Sequence, residues 1–565
     1  MKRVGVTADG VAETAVRAAI ADTDATVTTS GADVSEDVDL SVFVDDVGSE
    51  AFEKAAERAR TREIPLVCVE LGGVGGHRVA DVDAAVSGYG PGTACYDCLC
   101  DRVAAGAPET DDGAYDRPMA RFAGALAGRE VTTLLGGAES AGLGGVIELP
   151  HTARRVLPVP YCECAHGRTE TGGLLGSGES RSLRESIALA EVAFDERVGM
   201  ISSVGEIESF PVPYYLATLA DAPFSDGDVP EHAAGVGIDW DPAFMKALGE
   251  ALERYSAAIY RTSEFKNRPD NPVDPGRFVS PDGFDGAVRH WHDAERLTGG
   301  GPVQVPAELV VFPPPERTLR PAITTGLGLG NDGAGAIRSG LYEVIERDAA
   351  MLAWYSTYEP IGLAVDDDSF GTLRARAESE GLSTTVTLLT QDIDVPVLAA
   401  FVHRDGAWPR FAAGSAADLD PAAAARAALE EAIQNWLELD RMGRTEATEA
   451  GGAIGRHADL PASTESFIDT ETTVPAGSVG PNEAPRGERE LPVLVDRVEA
   501  AGLDAYAARL TPRDVDGMGF EAVRVLVPGA QPLFTGDPYF GARARSVPES
   551  LGFEPRLDRS YHPFP

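Results

Sequence analysis

The chain has 565 residues and a formal net charge of −42, from 48 Lys plus Arg against 90 Asp plus Glu. That length accommodates two or more domains with cores of their own, and that charge argues against duplex DNA, RNA and anionic lipid as partners, because such a surface repels them. The acidic excess is spread along the chain and Lys is scarce, a composition suited to a cytoplasm rich in salt, where mobile ions screen the repulsion.

The opening MKRVGVTADGVAE has no long apolar run behind its two basic residues, so it does not read as a signal peptide. No stretch reaches the ~18 apolar residues of a membrane span, and the expectation is a soluble, cytoplasmic protein. Val4–Thr7 and Ala25–Thr29 read as strands around a helix starting near Val11. Leu40–Val44 (LSVFV) and Pro65–Val69 (PLVCV) read as buried strands separated by a charged helix, Ser49–Arg60. This is the pattern of a small open α/β domain. No G-x-G-x-x-G opens a helix after the first strand, and the GGVGG at 72–76 reads as a loop rather than a phosphate cradle.

Five of the six cysteines fall in two tight groups: Cys95, Cys98 and Cys100 in GPGTACYDCLCDR, and Cys162 and Cys164 in LPVPYCECAHG. In a reducing compartment such grouping points to metal rather than disulfides. Cys95-x-x-Cys98 and Cys162-x-Cys164 offer two chelating thiolate pairs for a tetrahedral structural Zn²⁺, with Cys100 or His166 as substitutes for one ligand. The alternative is two unliganded thiol clusters. Cys68, inside an apolar strand, reads as a small core residue. Between the groups, Arg117–Leu135 is Ala-rich and amphipathic, hence helical. Over roughly residues 60–170 this region resembles the ubiquitin-activating-enzyme-like partner proteins of thiazole/oxazole peptide biosynthesis, in which two such cysteine pairs bind structural zinc.

Gly172–Gly178 (GGLLGSG) reads as a linker, which divides the chain into a docking domain at 1–171 and a larger domain at 172–565. Ser182–Phe194 reads as a helix and Gly199–Val204 as a strand. Two helical segments then repeat one arrangement: ALGEALERYSAA carries Glu250, Glu253 and Arg254, and GLYEVIERDAAML carries Glu343, Glu346 and Arg347. Positions i, i+3 and i+4 share a helix face. Each segment is either a solvated face with an intrahelical Glu–Arg pair, contributing a few tenths of a kcal/mol, or half of a carboxylate set for Mg²⁺, which prefers oxygen ligands. The repetition favours the second reading. Residues 445–490 are Gly/Ala/Glu/Pro-rich and weakly periodic, and read as a loose insertion. Leu491–Pro528 returns to an α/β pattern, with Ala522–Val527 a strand.

Three blocks in order are AAGVGIDWDPAFMKALGEALERYSAAIYR (233–261), TTGLGLGNDGAGAIRSGLYEVIERDAA (324–350) and GSAADLDPAAAARAALEEAIQNW (414–436); the chain finishes in HPFP. On these blocks residues 172–565 resemble the YcaO family, and the HPFP end is similar to its azoline-forming branch. The resemblance implies an α/β (α+β) ATP-binding fold without a Walker-A loop, and this chain has no G-x-x-x-x-G-K-[ST]. It implies Glu250, Glu253, Glu343 and Glu346 as Mg²⁺ ligands, Asn331, Glu431 and Gln434 at the nucleotide, and Arg254 and Arg347 at phosphates or in helix pairs. His562 and the Pro565 carboxylate become candidates for proton transfer.

The family commonly carries Ser where this chain has Lys246 and Gly328, and the first proline of its P-x-P-x-P end is Tyr561 here. Lys246 is thereby a candidate phosphate contact. The implied activity is ATP- and Mg²⁺-dependent cyclodehydration of Cys, Ser or Thr in a leader-bearing precursor peptide, with a flavin dehydrogenase as a further candidate partner and a homodimer as the expected assembly. Backbone thioamidation, an accessory role in ribosomal-protein methylthiolation, and a non-catalytic nucleotide-binding scaffold are the alternatives.

Overall fold

The computed structural model describes residues 2–8, 10–29, 38–110, 115–138, 140, 142–150, 152–165, 174, 181–281, 283–284, 286–450 and 452–565. His166 and all of the 172–178 linker except Leu174 therefore lie outside the described residues.

The first half is built on a seven-stranded sheet, in the order Thr26–Thr29, Arg3–Thr7, Leu40–Asp46, Leu66–Leu71, Ala84–Tyr89, Gly145–Leu149, Thr152–Arg155. The first four strands run parallel, and the remaining three extend the sheet antiparallel. Leu66–Leu71 is buried throughout, which is why its sequence is a continuous apolar run and not an alternation. Arg117–Leu135 forms a helix as expected. Its Asp116 cap accepts a hydrogen bond from Met119 N at 2.7 Å, and Pro118 occupies the first turn, where its missing N–H costs nothing.

Three further sheets make up the second half. Ile201–Glu208, Tyr214–Leu219 and His232–Val236 form an antiparallel sheet that carries the helix Trp240–Ala258. A five-stranded sheet contains Trp291–Arg296, Pro302–Pro306, Leu327–Gly330, Tyr506–Arg509 and Glu521–Leu526. Another five-stranded sheet contains Ile361–Ala364, Ser383–Leu388, Val397–His403, Phe411–Ala417 and Thr473–Pro475. The helix Gly333–Trp354 packs on both of these sheets, and the helix Pro421–Ala450 backs the second. The fold class is thus mixed α/β. Among the described residues no helix is long and apolar enough to cross a membrane.

Residues 445–490 differ from expectation. The Pro421–Ala450 helix runs into them past a kink at Gly443, and two short helices, Gly452–His457 and Ala462–Ile468, follow. Thr473–Pro475 then pairs in parallel with Ile361–Ala364. A few apolar anchors, Phe467 and Ile468 among them, are buried and hold this segment in place. Local composition gave no sign of that packing.

Candidate active site and thiolate cluster

Three helices and one strand meet at the carboxylates. On Trp240–Ala258, Glu250 is ion-paired with Arg254 one turn on and accepts from Ala234 N at 2.8 Å. Glu253 lies beside Glu343 and Glu250; burial and the repulsion of these two raise its pKa to about 8. On Gly333–Trp354, Glu343 accepts from Gly326 N at 3.0 Å. Glu346 accepts from Ser415 Oγ at 2.6 Å, and burial, with Glu431 and Glu343 nearby, raises its pKa to about 8 against the pull of Arg347. On Pro421–Ala450, Glu431 accepts from Ser415 N at 2.7 Å. Ser415 thus bridges Glu346 and Glu431 from the Phe411–Ala417 strand. That strand can come so close because residue 414 is glycine: a Cβ there would sit 2.3 Å from the Ala428 carbonyl oxygen.

Arg347 is at the middle. Its Nε is 3.8 Å from both Glu343 and Glu346, its Nη2 is 4.0 Å from Glu431, and its Nη1 donates to the Pro565 carbonyl oxygen. Burial opposes its charge, and the three carboxylates outweigh burial, so its pKa is raised. The structure thus brings Glu250, Glu253, Arg254, Glu343, Glu346, Arg347, Glu431 and Pro565 into one recess. The donors are carboxylate oxygens, the set a hard divalent cation selects. No three of these carboxylates place oxygens within 4.8 Å of one another, a closeness that only the cysteine quartet reaches among the described residues. This spread suits ions each bound through one or two carboxylates together with a substrate's phosphates.

The other expected residues lie further out. Lys246 is bonded to Glu430, next to Glu431, and Gln434 donates to Glu438 at 3.0 Å. Asn331 is not among the carboxylates. It precedes the Gly333–Trp354 helix and accepts from Ser186 Oγ at 3.1 Å. His562 is held in the core: it is buried, its Nε2 is 2.9 Å from the Phe534 carbonyl oxygen, and burial lowers its pKa to about 4. Asp348, next to Arg347, is also structural, since it is buried and bonded to Arg543 at 2.7 Å.

Two residues escaped the sequence reading. One is Ser415. The other is Arg524, buried beside Glu253 and Glu343 and donating to the Thr324 and Ile323 carbonyls at 2.6 and 2.7 Å. Burial and Arg320 lower its pKa to about 9 against the pull of those two acids. A lone arginine inside AVRVLV was the signal available for it. The missing Ser at position 328 also has a packing cause: a Cβ on Gly328 would lie 2.2 Å from the Ala336 carbonyl oxygen, so this strand lies against the helix only without a side chain there.

Cys95, Cys98, Cys162 and Cys164 come together, with Sγ–Sγ separations of 3.7 Å (95–98), 3.3 Å (95–162) and 3.5 Å (98–164). These are far longer than a disulfide bond and near the ~3.8 Å edge of a tetrahedron with ~2.3 Å Zn–S bonds. Arg513 donates to Cys164 Sγ at 3.3 Å and Val159 N to Cys98 Sγ at 3.3 Å. The residues therefore fit zinc. Cys100 is outside the quartet, and Cys68 is buried in its strand.

A family model described as YcaO cyclodehydratase, ATP- and Mg²⁺-binding, matches residues 234–531. An uncharacterized protein of Methanothermobacter thermautotrophicus is 31% identical over 378 residues, which are 63% of this chain and 96% of that protein. A protein of Rhizobium leguminosarum bv. trifolii, from the region 3′ of tfuA, is 25% identical over 352 residues, 57% of this chain and 81% of its own. Among solved structures, a heterocyclase in complex with substrate and cofactor superposes with a TM-score of 0.74 at 19% identity, over 98% of this chain and 83% of that one. YcaO from Methanopyrus kandleri, bound with AMPPCP and Mg²⁺, gives 0.51 at 24% identity, over 64% and 96%. At these identities the structural likenesses speak for the fold, and the first of them spans both halves.

Proposed function

The chain belongs to the YcaO family of ATP- and Mg²⁺-binding proteins, and on that premise we propose that it is an ATP-dependent cyclodehydratase acting on Cys, Ser or Thr of a ribosomally made peptide. The observation that carries this reading is the approach of Glu253, on one E-x-x-E-R helix, to Glu343 on the other, whose Arg347 reaches Pro565. The side chain of the modified residue attacks the preceding backbone carbonyl carbon. The oxygen of that carbonyl takes the γ-phosphoryl group of ATP, and phosphate leaves as the C=N bond of the ring forms. ADP and phosphate are released, and the peptide has lost one water.

Such a reaction relies on positioning and charge neutralisation more than on covalent help. Mg²⁺, when bound, neutralises the phosphate oxygens. Glu250, Glu253, Glu343 and Glu346 would hold such ions, one or two carboxylates to each. Ser415 fixes the rotamers of Glu346 and Glu431, and Arg347 orients the chain's C-terminal residue toward the recess. Pro565, through its carboxylate, is the group proposed to accept a proton from the attacking side chain, and Lys246, bonded to Glu430 beside Glu431, would supply a charge to a phosphate. In this reading residues 1–171 dock the peptide and carry structural Zn²⁺ on Cys95, Cys98, Cys162 and Cys164, and residues 172–565 activate the amide.

The test is ATP hydrolysis by the purified protein with a peptide rich in Cys, Ser and Thr, followed by mass spectrometry. The expected result is faster hydrolysis and loss of one water per ring. Glu343→Gln is expected to abolish turnover, a drop of at least about 10³-fold, and to leave the unfolding transition unchanged. A sulfur-for-oxygen mass gain would replace the reading with thioamidation, and failure to bind ATP would replace it with a scaffold role.

A further inference from the structure

Away from the carboxylate recess, two cavities abut in the seam between the halves of the molecule. One, of about 800 Å³, runs along Ala153–Leu157 and faces Arg509, Thr511 and Arg513. The other, of about 430 Å³, is walled by Tyr161, Phe265 and Trp291 beside Arg261. They share Pro160, Arg509, Thr511 and Arg513. Both volumes fall in the range of ligand sites.

The seam reverses the charge of the rest of the molecule. Six cations and four carboxylates line it, in a chain of net charge −42. Asp514 is engaged with Arg102, Asp516 with Arg509 and Asp293 with Lys266, and Arg154 is likewise paired, with Glu148, Asp195 and Glu196. By contrast, Arg155 has no carboxylate at ion-pair distance among the described residues. Arg261 stacks on the Tyr161 ring, its guanidinium carbon 4.6 Å from the centroid. Arg513 donates to a thiol, and its Nε is buried without a hydrogen bond among the described residues. The seam also contains a sheet edge. Thr152–Arg155 pairs with Gly145–Leu149 on one side, and among the described residues no strand pairs with its other side. Such an edge offers a row of backbone donors and acceptors to an extended chain.

We propose that this seam binds an extended acidic segment of the peptide substrate. The segment adds a strand to the Thr152–Arg155 edge, its carboxylates meet Arg155, Arg261 and Arg513, and an apolar side chain enters the aromatic cavity. The inference rests on the reading that the chain modifies a peptide. A long polyanion such as nucleic acid fits poorly, because beyond the seam it would run onto an acidic surface.

The test is fluorescence anisotropy on the full-length protein without ATP. The probe is a labelled peptide of about ten residues, roughly 33 Å when extended, with Glu alternating with Val and one terminal Phe. Comparison probes carry Lys in place of Glu, or are labelled oligothymidine. The acidic probe is expected to bind at least tenfold more tightly than either, and Arg155→Glu and Arg261→Glu are each expected to weaken it about tenfold. ATP binding serves as the fold control and is expected to be unchanged, since both arginines lie outside the carboxylate recess. Equal binding of the acidic and Lys probes, no effect of either charge reversal, or oligothymidine binding as tight as the acidic peptide would each overturn the proposal. Acidic-probe binding by a protein that changes the mass of no peptide would keep the seam and remove the cyclodehydratase. Water loss with both reversals neutral would do the opposite.

Discussion

Burial of single ionisable side chains sets how this protein responds to acid. The His562 pKa, about 4, lies below the ordinary 6.5, so the folded state favours the neutral ring more than the unfolded chain does. The stabilisation is therefore complete above pH 6.5, declines as the pH falls, and is gone below about 4, a loss on the order of 3 kcal/mol. His457, which bonds the Tyr561 carbonyl at 2.8 Å and is also held at about 4, acts in the same direction. Urea midpoints measured from pH 7 to pH 4 are expected to fall, and His562→Gln, which cannot titrate, is expected to flatten that slope. None of this could be read from HPFP, because the burial of His562 comes from Phe534 and the packed tail. The four glutamates were legible, because E-x-x-E-R on a helix fixes which side chains share a face. Ser415 was not, because its partners Glu346 and Glu431 lie on other elements, and only the fold brings them to its strand.

Elements that lie unusually close explain the departures from the expected motif. Leu327–Gly330 lies on the Gly333–Trp354 helix with no space for a Cβ at Gly328, so Gly328→Ser is expected to overpack the contact and lower stability by about 1–3 kcal/mol. Gly371 gives the contrast: it is in the helix Asp368–Ser379 with nothing within 4 Å of its would-be Cβ, and Gly371→Ala is expected to raise stability by about 0.5–1 kcal/mol. Equilibrium urea unfolding of both variants, with the denaturant slope unchanged, checks the pair. Most strands and helices of residues 1–135 were visible from periodicity, since LSVFV and PLVCV are apolar throughout and Arg117–Leu135 is amphipathic with a cap. Residues 445–490 were misread because helices of six and seven residues are too short to show a period.

At the scale of the whole molecule, the thiolate quartet sits where the two halves meet, since Arg513 of the second half donates to Cys164 of the first. Elemental analysis is expected to find one zinc per chain, and Cys95→Ser is expected to lose it. Chelation is expected to lower the thermal midpoint of both halves together, as one transition. The cysteine spacing made this cluster readable in advance, but its place against the second half was not, because Arg513 is separated from Cys164 by most of the chain.

A buried triad also crosses that seam. The Arg102 guanidinium donates to Asp514 at 2.5 Å, and the Tyr255 hydroxyl donates to the same carboxylate at 2.6 Å, from the helix that bears Glu250 and Glu253. Cutting the polypeptide between the halves would leave this buried pair held together only by association of the fragments, and breaking a buried pair costs several kcal/mol. Neither fragment is therefore a good candidate for expression alone. Co-produced, the two should reassemble into a split protein whose complementation reports on that single junction.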